Sequence, residues 1–586
     1  MFVILLSHCS LANKRDSEGY HGSHLPRGKN HLASVFLRVL HRLGEHRRIR
    51  VLPRRRRGRL RPALAGAPVL IVAVAALWAL GYLLLHALFR WLDKHSGRGW
   101  RTVAESGFFR RHCLTISAAA IALCWLPYLI VYFPGTLTWD GARSMNQFIT
   151  DAPLENHHPV LMNLLYAGLM TLGRTLYSDN LGLLLTVALQ YAACVAAFSL
   201  SVRQLVRMEA PRWLVVASLT FFALYPGWGL FAQTAIKDTL FFAVFCWYTL
   251  SLLRLMGASR PKRASWAWVV AASLALCFTR NNGIYIVLPT LLALAALYGL
   301  GRTFPRRGIG RRNARTALGA AVACAVAYLL VMNVAWPALG VNTKENKEML
   351  SIPFQQTART LLEHPDDVTG AERAAIAAVL PYDDLAALYN PSLADPVKES
   401  LFDESGNLEG EERSAYFSAW LSVGLRHPAT YLRATLANTY AYFYPWDIVG
   451  PDVDRPLWYV WMQGEPINKT FKVHNLMSDE VRRPVTKFLD AQLDIPVLSA
   501  IYSPALYVWA FLVMLAYAAH RGNRRALVLA VPMAMLLLTV LAGPLNGQLR
   551  YVLPVACALP LFAGCLLAPS SSPRGKDLPC TTASLS

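Results

Sequence analysis

The stretch "LTISAAAIALCWLPYLIVYFPGTLTWD", Leu114 to Asp140, joins two kinds of chain. Its first part, Leu114–Phe133, carries no charge and has the length of about 20 residues that a helix needs to cross a bilayer. Pro134 and Gly135 then favour a fixed turn, and Trp139 suits the headgroup level. Asp140 comes seven residues beyond the apolar run and is soon followed by "ENHHPVLMNLL", Glu155–Leu165. A plain connecting loop needs neither that carboxylate nor the adjacent His157 and His158, so the side of the membrane on which they lie decides what they can meet.

The 586 residues are 55% hydrophobic and 16% charged, with a mean hydropathy of +0.33. Soluble domains are closer to a quarter charged, and several further runs, such as Ala67–Phe89, are long enough to span. The fold class expected is an all-α polytopic membrane protein of about 10–11 transmembrane helices. The net charge is +23, yet 23 of the 35 acids and only 14 of the 58 bases lie between residues 340 and 500. The chain is thus basic and apolar around one acidic, soluble-looking block. That pattern fits basic cytoplasmic loops rather than a nucleic-acid partner. The Arg-rich "PRRRRGRLR" (Pro53–Arg61) reads as a topology anchor that touches anionic lipid. Of ten cysteines, seven (Cys124, Cys194, Cys246, Cys277, Cys324, Cys557 and Cys565) sit in apolar runs and none sits in the acidic block. They read as small buried residues rather than a disulfide framework. The opening "MFVILLSHCSLA" (Met1–Ala12) is short for a signal peptide with a cleavage site, and equally fits a start placed upstream of the true one.

The positive-inside rule threads the chain. The short basic loops Ser201–Arg207, Ser259–Arg263, Arg302–Arg315 and His520–Arg525 are expected in the cytoplasm. The spans between them are then 181–201, 213–230, 238–256, 266–279, 284–300, 316–336, 501–519, 526–543 and 550–568. The outward turns are "FAQTAIKD" (Phe231–Asp238), "TRNNG" (Thr279–Gly283), the acidic block and "GPLNGQLRY" (Gly543–Tyr551). Alternation holds when Pro159–Tyr177 is an amphipathic helix lying flat on the outer surface. Leu114–Phe133 then runs outward from basic "FFRRHC" (Phe108–Cys113), and Asp140 is external. Ala67–Phe89 is basic on both flanks, and whether it crosses is left open. The expected organisation is a basic, disordered cytoplasmic tail (1–66), a transmembrane region (67–336) whose external loop 134–180 carries surface helices, an extracytoplasmic, mainly helical domain (337–500), C-terminal spans (501–568) and a disordered tail (569–586).

Within the block, "TGAERAAIAAVLP" (Thr369–Pro381) opens with a Thr-x-x-Glu capping box and stops at proline. Glu412–Pro445 has apolar residues at helical spacing, while Tyr389–Lys398 and Ile448–Pro456 read as loops. No nucleotide-phosphate glycine loop is found, so energy for any reaction must come with the substrate.

An enzyme working outside the cytoplasm would draw on a lipid-linked donor. It needs a carboxylate to activate a hydroxyl or hold a metal, cations and amides to hold a phosphate, and an apolar groove. Asp140 is the candidate carboxylate; its bland reading is a solvated loop acid. His157 and His158 begin the surface helix, with Pro159 in its first turn and Asn156 as cap. They read either as interface anchors or as contacts to phosphate, sugar or a metal shared with Asp140. Arg280 stands at membrane depth, where charge is costly and tends to be functional; Asn281, Asn282 and Gly283 also suit a tight turn. Lys237 either pairs with Asp238 or adds a second cation, and Arg550 is a third. In "SIPFQQTAR" (Ser351–Arg359), Gln355, Gln356 and Arg359 are either sugar-reading groups or an ordinary helix face.

In this order, "TWDGARSMNQF" and "NHHPVLMNLLYAGL" resemble the first external loop of the GT-C class of membrane glycosyltransferases. More closely, "FPGTLTWD", "NHHP", "KDTLF", "RNNGIY", "SIPFQQTAR", "YNPSLADPVK" and "YVLP", spread from Phe133 to Pro554, look like the landmarks of an uncharacterised bacterial membrane family related to that class. The resemblance implies a GT-C-like fold in a bacterial cell membrane and transfer of a sugar from a polyprenyl-phosphate donor to a glycan, lipid or protein of the envelope. Asp140 would be catalytic by position. His157, His158, Lys237, Asp238, Arg280, Asn281, Asn282, Gln355, Gln356 and Arg550 would bind substrate. The chain departs from the pattern in having no second acid beside Asp140, and a divalent metal, with Asp140 and His158 as its ligands, is left open. The alternative is a transporter, flippase or polymerase of lipid-linked glycans, and the bland one is an envelope scaffold.

Overall fold

A computed structural model describes residues 67–95, 102, 107–150, 153–258, 260–300, 307–343, 347–402, 408–445 and 470–568. The tails 1–66 and 569–586 and the expected loop 448–456 lie outside these. The chain divides into two units, Met1–Arg90 and Trp91–Ser586. What is described of the first is most of one helix, α1 (Ala67–His95), with exposed apolar side chains such as Trp78 and Leu84.

The second unit begins with α2 (Gly107–Val131), β1 (Thr136–Leu137), α3 (Trp139–Asn146), α4 (Val160–Leu176) and α5 (Asp179–Arg207). A bent pair follows, α6 (Arg212–Leu224) and α7 (Pro226–Ala232), then β2 (Thr234–Ala235), α8 (Lys237–Gly257), α9 (Arg263–Thr279) and α10 (Gly283–Leu300). The next helix, α11 (Arg307–Leu330), continues through a π turn to Ala338. The acidic block holds α12 (Ser351–Glu363), α13 (Gly370–Ala377), α14 (Leu385–Leu388), α15 (Asp395–Lys398), α16 (Gly410–Arg426), α17 (Pro428–Ala437), α18 (Asp479–Leu493) and α19 (Pro496–Ala500). The chain ends with α20 (Pro504–His520), α21 (Arg524–Leu541) and α22 (Leu549–Leu567).

Among the described residues, eight helices are long and apolar enough to cross a membrane, or nine if α6 and α7, bent by 48° at Pro226, are one span. The expected spans 266–279 and 501–519 are helices of 17 residues, about 25 Å long at 1.5 Å per residue. Each expected span is therefore an apolar helix, except 213–230, which is the bent pair α6–α7. The chain is thus an all-α, multi-pass membrane protein. Helices α8 and α22 are the most deeply buried and form the centre of the bundle.

Helix α4 runs back along the first turns of α5. A Cβ on Gly173 would stand 2.0 Å from the Gly182 nitrogen, and one on Gly182 would stand 2.6 Å from the Met170 carbonyl oxygen. Two small residues thus let the backbones touch. Tyr166 closes the far end through Gln190 Oε1 at 2.9 Å. The helix expected to lie on the outer surface is one arm of a hairpin, because these glycines and Tyr166 pair it with α5. Pro159 takes the helix-start position and Asn156 does not cap it. The Asn156 backbone pairs with Asn342 instead.

At the basic end of the bundle Arg254 donates to Gln204 and Arg521 pairs with Asp93. The acidic block joins the other end. Its core is built on Phe354, Ala358, Ile376, Leu380, Val397 and Tyr416. The Thr369–Glu372 capping box is formed in full, and the long helical pattern after Glu412 breaks at Pro428. The turn 543–546 is sewn to the block: Ala394 N donates to Pro544 O, and Asn546 bonds to both Ala437 O and Ala441 N. Residues 470–476 leave the block to pack Phe471 and Val473 with Leu137, Met145, Met162 and Tyr166.

Candidate functional site

The site is laid out by two short strands. β1 and β2 are parallel, with Thr136 opposite Thr234 and Leu137 opposite Ala235. Carried forward by the same offset, "TLTWD" aligns with "TAIKD", and Asp140 falls opposite Asp238. Each acid is the second residue of its helix, α3 or α8, where the positive end of the helix dipole favours it. Thr138 caps α3 by accepting from Gly141 N and donates to Ala235 O. Gly141 is required there: a Cβ would stand 2.1 Å from that same oxygen.

Arg550, from the first turn of α22, donates to Asp140 Oδ2 at 2.7 Å and lies 3.8 Å from Asp238 Oδ2. Arg280, at the end of α9, pairs with Asp238 Oδ1 at 2.7 Å. Tyr551 lies under both guanidinium groups, 4.8 Å from Arg280 and 5.2 Å from Arg550. Lys237 Nζ meets His158 Nδ1 rather than Asp238. The ring nitrogen accepts there, which leaves Nε2 as the protonated one. Burial, then the Lys237 charge, push His158 well below the usual imidazole range, so it is neutral. Burial alone would raise the Asp140 carboxyl, but Arg550 and Lys237 overcome it and hold Asp140 far below the usual carboxylate range.

The remaining expected residues divide into two groups. Asn281 binds the carbonyls of Asn156 and His157 at 2.6 and 3.3 Å, and Asn282 binds Thr539 Oγ1 at 2.8 Å. They hold the "NHHP" loop and α21 in place. His157 stacks edgewise on His158 and reaches toward Glu348, 3.9 Å away. Gln355 and Gln356 are buried inside the block: the Gln355 amide nitrogen donates to Asn390 O while its Oε1 has no partner, and Gln356 bonds to Thr435 and Trp420. Arg359 pairs with Glu363 and Tyr389. The structure thus places the "FQQTAR" residues within the block, away from the charged cluster.

Sequence reasoning missed two features. Tyr551 gave no signal beyond its place after Arg550. The second acid was sought next to Asp140 in sequence, whereas Asp238 comes 98 residues later, by strand register.

The donor set does not suit a metal at Asp140 and His158: arginine occupies the carboxylate and lysine the ring nitrogen. Elsewhere, His364, Asp367 and His427 have ligand atoms within 4.8 Å of one another. Their imidazoles stack at 4.1 Å with 14° between planes, so no single ion lies in both ring planes.

Beside the charged cluster is a cavity of about 220 Å³, with Trp139, Arg143, Asn146, Gln147, Glu155 and His158 on its wall. Residues 148–575 match the model of a family of unknown function, DUF6020. The chain belongs to this family. The DUF6020 match takes in "NHHP", Lys237, Asp238, Arg280 and Arg550 and starts eight residues after Asp140. No curated protein matches the chain. No solved structure matches it either.

Proposed function

We propose that this DUF6020 protein is a GT-C-type membrane glycosyltransferase. It moves a sugar from a polyprenyl-phosphate donor to a cell-envelope acceptor on the outer face of a bacterial membrane. The observation that carries the reading is a charge count. Among the described residues, the cluster holds three cations (Lys237, Arg280, Arg550) and two carboxylates (Asp140, Asp238) at the ends of apolar helices. A buried cation without a counterion is costly, and one phosphate group would balance it. Arginine suits that role because its planar fork matches phosphate oxygens.

The chemistry follows from the same pairings. The acceptor hydroxyl attacks the anomeric carbon, a new C–O bond forms, and the bond from that carbon to the phosphate oxygen breaks. The hydroxyl proton goes to Asp140, and the cations hold the charge on the leaving polyprenyl phosphate. With Arg550 on it, Asp140 is too weak a base for that step. When the donor phosphate draws Arg550 away, the carboxylate regains basicity, so donor binding arms the base. Charges at the ends of the spans, rather than along them, weigh against a transport path.

The test is transfer from a polyprenyl-phosphate sugar in vesicles carrying the full chain. Asp140→Asn is expected to lower the rate by roughly 10²–10⁴-fold, the range for one acid–base group. Wild-type transfer by that variant overturns the assignment.

A further inference from the structure

The cavity beside the cluster differs from it in charge. Arg143 and Glu155 pair across its wall at 3.3 Å, so that pair adds no net charge to it. What it offers is an aromatic face and amides. Trp139 is 40% exposed and lines the cavity, so its ring face is open to a ligand there. Gln147 spends its Oε1 on Glu155 N at 2.8 Å, which leaves its amide nitrogen to donate. Asn146 Oδ1 is a buried oxygen without a hydrogen-bond partner, and buried polar atoms are nearly always satisfied. At about 220 Å³ the space is below the 300–1,000 Å³ typical of drug-sized ligands. It suits one ring rather than a lipid chain.

We infer that this cavity seats a single neutral sugar ring of the acceptor, stacked on Trp139 and hydrogen-bonded by Asn146, Gln147 and the Arg143–Glu155 pair. An apolar ring face with hydroxyls around its edge is the ligand chemistry that an aromatic plane rimmed by amides and one ion pair recognises. The inference rests on the transferase reading for the word acceptor but stands on the cavity for the sugar. Trp139 and Arg143 lie one residue before and one helical turn beyond Asp140, so the cavity and the carboxylate share one short helix.

The test is ligand-observed saturation-transfer NMR on the full chain in nanodiscs, with methyl glycosides of glucose, galactose, mannose and N-acetylglucosamine as probes. At least one is expected to bind, with Trp139→Ala and Asn146→Leu each weakening it about tenfold, as for loss of one main contact. Trp139→Phe keeps an aromatic plane and is expected to stay within about threefold of wild type, which separates stacking from misfolding. Asp140→Asn is expected to retain binding while losing transfer. The inference is overturned if no probe binds, if binding is indifferent to Trp139→Ala and Asn146→Leu, or if inorganic phosphate displaces the sugar from this cavity. Sugar binding with no transfer from a lipid-linked donor would leave the inference standing and remove the transferase reading instead.

Discussion

At the scale of the residue, Arg550 is the point on which the candidate site turns. It joins the two register-matched acids and shares Tyr551 with Arg280. Removing one member of a buried pair costs about 3–5 kcal/mol where nothing else compensates its partner; here Lys237 still acts on Asp140, so the loss falls below that range. Arg550→Met should therefore lower the unfolding temperature in detergent. Asp140→Asn combined with Arg550→Met should recover part of that loss, because no carboxylate is then left without its guanidinium partner. Asp238 keeps Arg280 in both proteins. A thermal double-mutant cycle reads this coupling directly; additive losses would show that Arg550 does not depend on Asp140.

At the scale of the element, the α4–α5 hairpin carries the "NHHP" loop to Lys237, and its closeness depends on two glycines. Gly173→Ala puts a Cβ 2.0 Å from the Gly182 nitrogen, whereas a Cβ on Gly168, in the same helix, meets nothing within 4 Å. Overpacking of this kind costs typically about 1–3 kcal/mol, while Gly→Ala in an open helix position stabilises by roughly 0.5–1 kcal/mol. Thermal unfolding should thus move in opposite directions for the two variants. A common direction would mean that the hairpin contact is not what holds α4.

At the scale of the whole molecule, the acidic block and the turn before α22 form one assembly. Asn546, itself buried, bonds to the backbone at Ala437 and Ala441, and Tyr442 bonds to Leu545 O and Gln548 N. That turn leads into Arg550. Asn546→Ala orphans two buried backbone groups at about 1–3 kcal/mol each. It should lower both the unfolding temperature and the rate of transfer, although it touches no charged member of the cluster. Unchanged transfer at reduced stability would show that the turn is not needed to aim Arg550.

The sequence by itself determined the membrane class, the positions of the apolar helices and the segregation of charge. These depend on composition and period, which are local properties of the chain. It also marked most of the cluster, because Arg280, Lys237 and Arg550 stand at helix ends where a charge is conspicuous. Only the tertiary structure decided which of them meet. Asp140 and Asp238 come together through a register of two residues in each strand, and α4 turns onto α5 through two glycines. Gln355 and Gln356 fold into the block. Each is a long-range contact set by backbone geometry, for which a single sequence holds no local signal.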